Sequence, residues 1–279
     1  MSTQIHPMAV VEKGAELADG VVVGPNAYVG PNVKIGKGTI VQSKAHVDGH
    51  TELGEGNLIF PFASVGTRPQ DLKYKGEPTI LKIGDRNQIR EFTTVNLGTV
   101  QGGGITTIGN ENLIMAYAHI AHDCHIGSRC VLTNSVQLAG HVTLEDFVIV
   151  GALAALHQFI RVGTSVIVSA NSMIARDVPP FCIAAGRGGA LYGLNRIGLK
   201  RRGFTPDAIL ALKKAYRAAF RAGKKTPEAI AVLRADFPGV KEVQQLADFM
   251  EKKGPRGMLV DASVRRGGRK GAEESEDAE

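Results

Sequence analysis

Five of the eight histidines, His119, His122, His125, His141 and His157, fall within 39 residues of one another. Imidazole is the side chain whose charge changes near neutral pH, and Asp123 directly follows His122. A carboxylate beside an imidazole can fix its tautomer and stabilise the imidazolium that forms when it takes a proton. General-base chemistry by His122 with Asp123 is therefore the first reading. His119, His122 and His125, three apart, also form a ligand set of the kind zinc takes, and a polar turn would leave each ring merely solvated. Cys124, Cys130 and Cys182 show no CxxC spacing, so neither a disulfide framework nor a cysteine metal site is expected.

A repeat is what could bring these residues together. An aliphatic residue recurs every six positions from Ile5 to Val65, again at Ile83, Ile89 and Val95, and then from Ile108 to Ile174. The fifth position is small or β-branched, as in Ala27, Val33 and Thr39. A helix cannot keep a period of six on one face, because its apolar stripe recurs at three and four. A short strand followed by a bend can. Positions one and five then point inward, three hexads close a triangular coil of 18 residues, and stacked coils pair as parallel strands about 4.8 Å apart. Such a narrow axis suits a chain with 34 glycines, no tryptophan and 5% aromatic residues.

Hexads starting at Ile120, Leu138 and Leu156 occupy one side of three successive coils. His122, Asp123, His141 and His157 all fall at outward positions there, with Asp123 stacked against His141, so one surface groove is expected to hold them. Cys124 takes the inward fifth position and reads as core packing.

Breaks in the phase locate the protrusions. The segment between Val65 and Ile83 holds Pro69, Pro78 and a cluster of charges, and the interval from Val95 to Ile108 is out of phase and contains Gly102, Gly103 and Gly104. Loops are expected at 66–82 and 97–107. After Pro179 and Pro180 the period stops. Thr205-Pro206 opens a stretch with helical spacing, and Thr226-Pro227 opens another. The organisation expected is a parallel β-helix over 1–189, an α-helical domain over 190–260 and a disordered tail over 261–279.

With 43% hydrophobic residues in 279, a disordered chain is excluded. No apolar run approaches the roughly 20 residues a bilayer requires, and the first residues lack a secretory leader, so a cytoplasmic protein without stable membrane insertion is expected. The net charge of +6 is unevenly spread: residues 1–189 sum to −1, 190–260 to +9 and 261–279 to −2. The excess points to an acidic partner or phosphate-bearing ligand and not to nucleic acid.

The stretches AHIAHDCHIG, LAGHVTLEDF, LHQF, QDLKYKGEPT, IGDRNQIRE, GTVQGGG and GLKRRGF resemble the UDP-N-acetylglucosamine acyltransferases, over residues 5–255. The resemblance implies an all-β, left-handed parallel β-helix of hexapeptide repeats with a C-terminal α-helical domain, its hand coming from the resemblance alone. It implies a cytosolic homotrimer, without cofactor or metal, that moves a 3-hydroxyacyl chain from acyl carrier protein to the glucosamine 3-hydroxyl of UDP-N-acetylglucosamine, the first step of lipid A biosynthesis. His122 would be the base, Asp123 its orienting carboxylate and the Gly140 N–H the oxyanion donor. Asp71, Lys73, His119, His141, His157 and Gln158 would contact sugar, phosphate or acyl chain. Asn195, Arg201 and Arg202 would bind the nucleotide, and Ala170 would limit acyl length.

The chain departs from the family pattern at Asn96-Leu97, where His/Asn-Arg is common, at Gly188, where one form has His, and at Ile197, where that form has a nucleotide-contacting Glu. Three other readings are kept. One is N-acyl transfer to a 3-amino form of the same nucleotide sugar. The second is a non-catalytic solenoid scaffold. The third is a zinc site like that of the γ-class carbonic anhydrases, which the residues around the histidines fit less well.

Overall fold

The computed structural model describes residues 2–264; residues 265–279 of the expected tail lie outside the described residues. Two-residue strands such as His119–Ile120, His125–Ile126 and Val131–Leu132 follow one another every six residues. They build three sheets of eleven, ten and eight strands that form the faces of a prism. Apart from the last strand, pairing is parallel, mostly with the 18-residue register of a closed coil, as in Gln4↔Val22, His119↔Gln137 and Ile149↔Ile167.

First-position aliphatics line the axis: Val23, Val41, Ile59, Ile89, Ile114, Leu132, Val150 and Val168 are at most 1% exposed. Ile5, with no coil beneath it, is 49% exposed. Each fully buried aliphatic contributes about 2 kcal/mol. Among the buried polar groups, a ladder of asparagines bonds to itself from coil to coil. The Asn87 N–H and Nδ2 both donate to Asn57 Oδ1 (2.9 and 3.0 Å), and Asn112 repeats the pattern on Asn87 Oδ1.

Two coils are lengthened. Leu58 pairs with Gln88, 30 residues on, and Thr94 with His119, 25 on. Both excursions are shorter than the sequence suggested. Strands Ser64–Thr67 and Ile80–Ile83 enclose the first, and Thr94–Asn96 and Ile105–Ile108 the second. Leu81 and Thr106 are fully buried, so the residues around them belong to the wall.

The helical region contains α1 (Arg196–Arg201), α2 (Pro206–Phe220), α3 (Thr226–Asp236) and α4 (Lys241–Glu251). The Thr205 hydroxyl caps α2 by accepting from the Ala208 N–H, whereas α3 begins at Thr226 with no side-chain cap. Apolar faces carrying Leu212, Leu233, Val243 and Leu246 close around Phe181. Two corrections follow at its borders. Residues 190–194 are strand, paired antiparallel with Cys182–Ala185, because the backbone of the last coil needs a partner. The stretch assigned to the tail begins ordered: Asp261 is 1% exposed and accepts from Tyr216 Oη (2.6 Å) and Arg221 Nε (2.8 Å).

Candidate active site

The edge between the ten- and eight-stranded sheets carries the histidines. Asp123, His141 and Phe159 are the fourth residues of three stacked hexads, with φ of 58°, 63° and 67°. That left-handed conformation costs a residue with a Cβ about 1–2 kcal/mol. Cross-coil bonds hold it, from the His141 N–H to His122 O (3.0 Å) and from the Phe159 N–H to Gly140 O (3.2 Å). The third positions are His122, Gly140 and Gln158. A Cβ on Gly140 would lie 2.6 Å from His122 Cε1, so only glycine leaves the ring its place. No hydrogen bond from the Gly140 N–H is found among the described residues.

His122 Nδ1 lies 2.7 Å from Asp123 Oδ2. An ionised carboxylate only accepts, so this contact puts the ring proton on Nδ1 and the lone pair on Nε2. The His122 side chain is 15% exposed and that of Asp123 not at all, which leaves the base reachable and its partner shielded. The burial of Asp123 corrects the outward position expected for it. The second excursion folds over the carboxylate: the Thr99 N–H donates to Oδ1 (2.8 Å) and the Thr99 hydroxyl to Oδ2 (2.6 Å). Burial pushes the Asp123 carboxyl up, but hydrogen bonds from His122 and Thr99 outweigh it and hold it below its ordinary range.

His141 Nε2 stands 3.8 Å from the same Oδ2, with its ring perpendicular to His122 and stacked on Phe159 at 4.3 Å between centroids. His119 Nδ1 pairs with Thr94 Oγ1 at 2.7 Å. Burial lowers both His119 and His141, with Asp123 partly opposing the effect at His141, so burial favours the neutral ring at both. Asp71, in the first loop, also acts electrostatically on His141, which places that loop beside the cleft. The Lys73 N–H closes a turn on Asp71 Oδ1 (2.9 Å), and Leu72 between them is 98% exposed. His125 leaves the cleft for the neighbouring face, paired with Thr107 Oγ1 at 2.9 Å. His157 and Gln158 are exposed one coil above His141.

His122, Asp123 and His141 bring three ligand atoms within 4.8 Å of one another. Thr99 and His122 already occupy the carboxylate, so the trio is hydrogen-bonded as it stands. Cys124 is fully buried and its thiol is pushed up to about 12, chiefly by burial, which leaves it unreactive.

The remaining expected residues lie elsewhere on the chain. Asn195, Arg201 and Arg202 line a cavity of about 840 Å³ between α1 and the eleven-stranded sheet, floored by Ile149, Ile167 and Ile183. Asn195 is buried and fully engaged: Oδ1 caps α1 at the Gly198 N–H (3.0 Å) and Nδ2 donates to Ser165 O (2.9 Å). Arg202 stacks on Phe147 and donates from Nη2 to Phe147 O (3.1 Å), while its Nη1 is buried without a partner. Burial lowers the Arg202 guanidinium from its ordinary range. Ile197 is 69% exposed at the rim, and Ala170 is exposed on a third edge, between the eleven- and ten-stranded sheets. Asn96 braces the first loop by donating to Arg68 O (3.1 Å), and Leu97 packs on Gly49.

Sequence reasoning missed Thr99, Gly102 and Phe159. Their motifs and the broken phase were visible, but nothing in the spacing aims the Thr99 hydroxyl at Asp123.

A hexapeptide prism with an imidazole–carboxylate pair on one edge and a cationic cavity on another defines an acyltransferase of the left-handed parallel β-helix class. Hexapeptide-transferase repeats match at residues 14–49 and 105–140, and a profile described as UDP-N-acetylglucosamine O-acyltransferase, domain 2, matches residues 177–259. The acyl-[acyl-carrier-protein]–UDP-N-acetylglucosamine O-acyltransferase of Thiobacillus denitrificans is 55% identical, over 89% of this chain and 96% of its own. Its counterpart in a Janthinobacterium is 51% identical over 91% and 98%. The solved enzyme from Acinetobacter baumannii superposes with a TM-score of 0.89 at 41% identity, covering 91% of this chain and 99% of that one. The chain belongs to the UDP-N-acetylglucosamine O-acyltransferase family.

Proposed function

We propose that this protein transfers a 3-hydroxyacyl group from acyl carrier protein to the 3-hydroxyl of UDP-N-acetylglucosamine, with His122 as general base. The observation that carries the reading is the reachable His122 Nε2 on a ring whose Nδ1 is held by a buried carboxylate at 2.7 Å. The names of the relatives supply donor and acceptor. Nε2 takes the hydroxyl proton as the sugar oxygen attacks the thioester carbonyl, and Asp123 stabilises the imidazolium. The Gly140 N–H is the donor for the tetrahedral oxyanion. Collapse breaks the carbon–sulfur bond, and the proton passes from His122 to the departing thiolate, so ester and free thiol leave without a covalent enzyme intermediate.

The working form is read as a homotrimer. His122 and Arg202 sit on different sides of one prism, and a second copy can set the cavity of one chain beside the cleft of another. The exposed Leu72 and the stacked, exposed Phe62, Phe92 and Tyr117 suit such burial. Asp71, Lys73, His119, His141, His157 and Gln158 then hold sugar and acyl chain. Arg201 and Arg202 hold the nucleotide with fork-like donors, Asn195 fixes the helix that presents them, and Ala170 limits chain length. No described helix is long and apolar enough to cross a membrane, in keeping with work in the cytoplasm.

Mass spectrometry of the product formed by purified protein from UDP-N-acetylglucosamine and a mixed 3-hydroxyacyl-carrier pool tests the reading. One O-linked hydroxyacyl ester on the sugar is expected. Acylation only of a 3-amino sugar, or no product from either, would overturn it.

A further inference from the structure

We propose that the second excursion is a clamp on the catalytic carboxylate, with Thr99 as a positioning residue that sets the direction and strength of the Asp123–His122 contact. The inference rests on His122 being the base and extends that reading to a part of the chain with no role so far.

The atoms converge on Asp123. Its Oδ2 receives His122 Nδ1 at 2.7 Å and the Thr99 hydroxyl at 2.6 Å, while Oδ1 receives the Thr99 N–H at 2.8 Å. The Asp123 N–H is tied to Thr106 Oγ1 (2.8 Å), in the wall strand Ile105–Ile108 that follows the excursion. The loop and the strand that follows it therefore both hold one residue. Thr99 is itself fixed as the N-cap of the turn Val100–Gly102, its Oγ1 accepting from the Gly102 N–H at 3.2 Å. That bond orients the hydroxyl proton away from the turn and toward the carboxylate. A Cβ on Gly102 would lie 2.0 Å from Asp123 Cγ, so the loop touches the carboxylate from above and glycine alone permits it.

The arrangement decides a competition. Asp123 Oδ2 also faces His141 Nε2 at 3.8 Å, and without Thr99 the carboxylate could turn between the two rings. Holding both oxygens by Thr99 leaves Oδ2 aimed at His122. The second donor on Oδ2 also draws charge from the oxygen that supports the imidazolium, so the clamp moderates the pair as well as aligning it. The other titratable groups around the pair are His119, His141, His125, Asp71 and the buried Cys124. None of them is bonded to Thr99.

Thr99→Val removes the hydroxyl, keeps the backbone N–H and preserves shape. The expected result is a fall in kcat of about 10-fold or more, with KM for UDP-N-acetylglucosamine within about 2-fold, and an acid limb of the kcat profile moved to higher pH. The sign follows from the bond lost: an oxygen with one donor fewer binds the imidazolium more tightly. Thr99→Ser restores the wild-type values. Gly102→Ala, which forces the carboxylate aside, loses more than Thr99→Val. Wild-type kcat and pH profile in Thr99→Val would overturn the clamp, as would a loss that Thr99→Ser fails to rescue while the protein still melts at the wild-type temperature. His122→Ala is run alongside. If it retains activity the base assignment fails; if it is inactive while Thr99→Val is unchanged, only the clamp fails.

Discussion

The His122 cleft and the Arg202 cavity both put charge beside apolar surface, and they are built oppositely. In the cleft the buried carboxylate is paired at both oxygens, by His122 on a coil turn and by Thr99 at the start of the turn Val100–Gly102. In the cavity a buried guanidinium nitrogen has no partner, and the wall is a six-residue helix hung on a separate set of contacts. The first is preorganised for a reaction before anything binds. In the second, Arg202 Nη1 is buried without a partner among the described residues, and on the proposed reading the nucleotide supplies its acceptor, since leaving a charged donor buried and unpaired costs about 1–3 kcal/mol or more. On the proposed reading, chemistry and binding are thus separated on one molecule.

Mutating each in turn gives the largest test of that separation. His122→Ala is expected to lower kcat by about 10²–10⁴-fold with little change in KM, because in the proposed mechanism the ring takes the proton of the reacting hydroxyl. Arg202→Ala is expected to raise KM for the nucleotide sugar about 10-fold or more while kcat falls less, and Arg202→Lys to recover little, since a lysine lacks the forked donors. Steady-state kinetics on both variants checks the split. Equal losses in kcat and KM at both positions would erase the distinction between the regions.

A smaller effect is expected at Ala170, whose methyl group lies on a third edge. Ala170→Gly should move donor preference toward longer 3-hydroxyacyl chains, each added CH₂ being worth about 0.8 kcal/mol when buried. Competition between donors of different length reads the ratio directly, and an unchanged ratio removes Ala170 from the acyl site.

The period of six made the prism and its inward positions legible, because an axis one side chain wide admits a single pattern. It also made the alignment of His122, Gly140 and Gln158 a matter of counting. What counting could not reach was the behaviour of the interruptions. Thr99 and Thr106 touch Asp123 because a lengthened coil folds back over its neighbour, and an outward position in the repeat became a buried one. The border of the tail moved for a related reason. Asp261 looks like the start of a charged run, yet it finds Tyr216 and Arg221 through tertiary packing that no local signal announces.

That carboxylate offers the finest test of the comparison, because it secures the helical side and leaves the cleft alone. Hydrogen bonds from Ser263, Tyr216 and Arg221 outweigh the upward push of burial and hold Asp261 at about 2, against an ordinary value of 3.8. A depressed folded value contributes stability that is fully present above the ordinary value and is lost as pH falls from about 4 toward 2. Asp261→Asn should therefore melt lower at neutral pH and show a shallower decline across that acid window. The same variant should raise KM for the nucleotide sugar a few-fold by loosening the scaffold of the cavity, with kcat unchanged. If kcat falls in step, the two regions are mechanically coupled and the cleft is not finished within the prism alone.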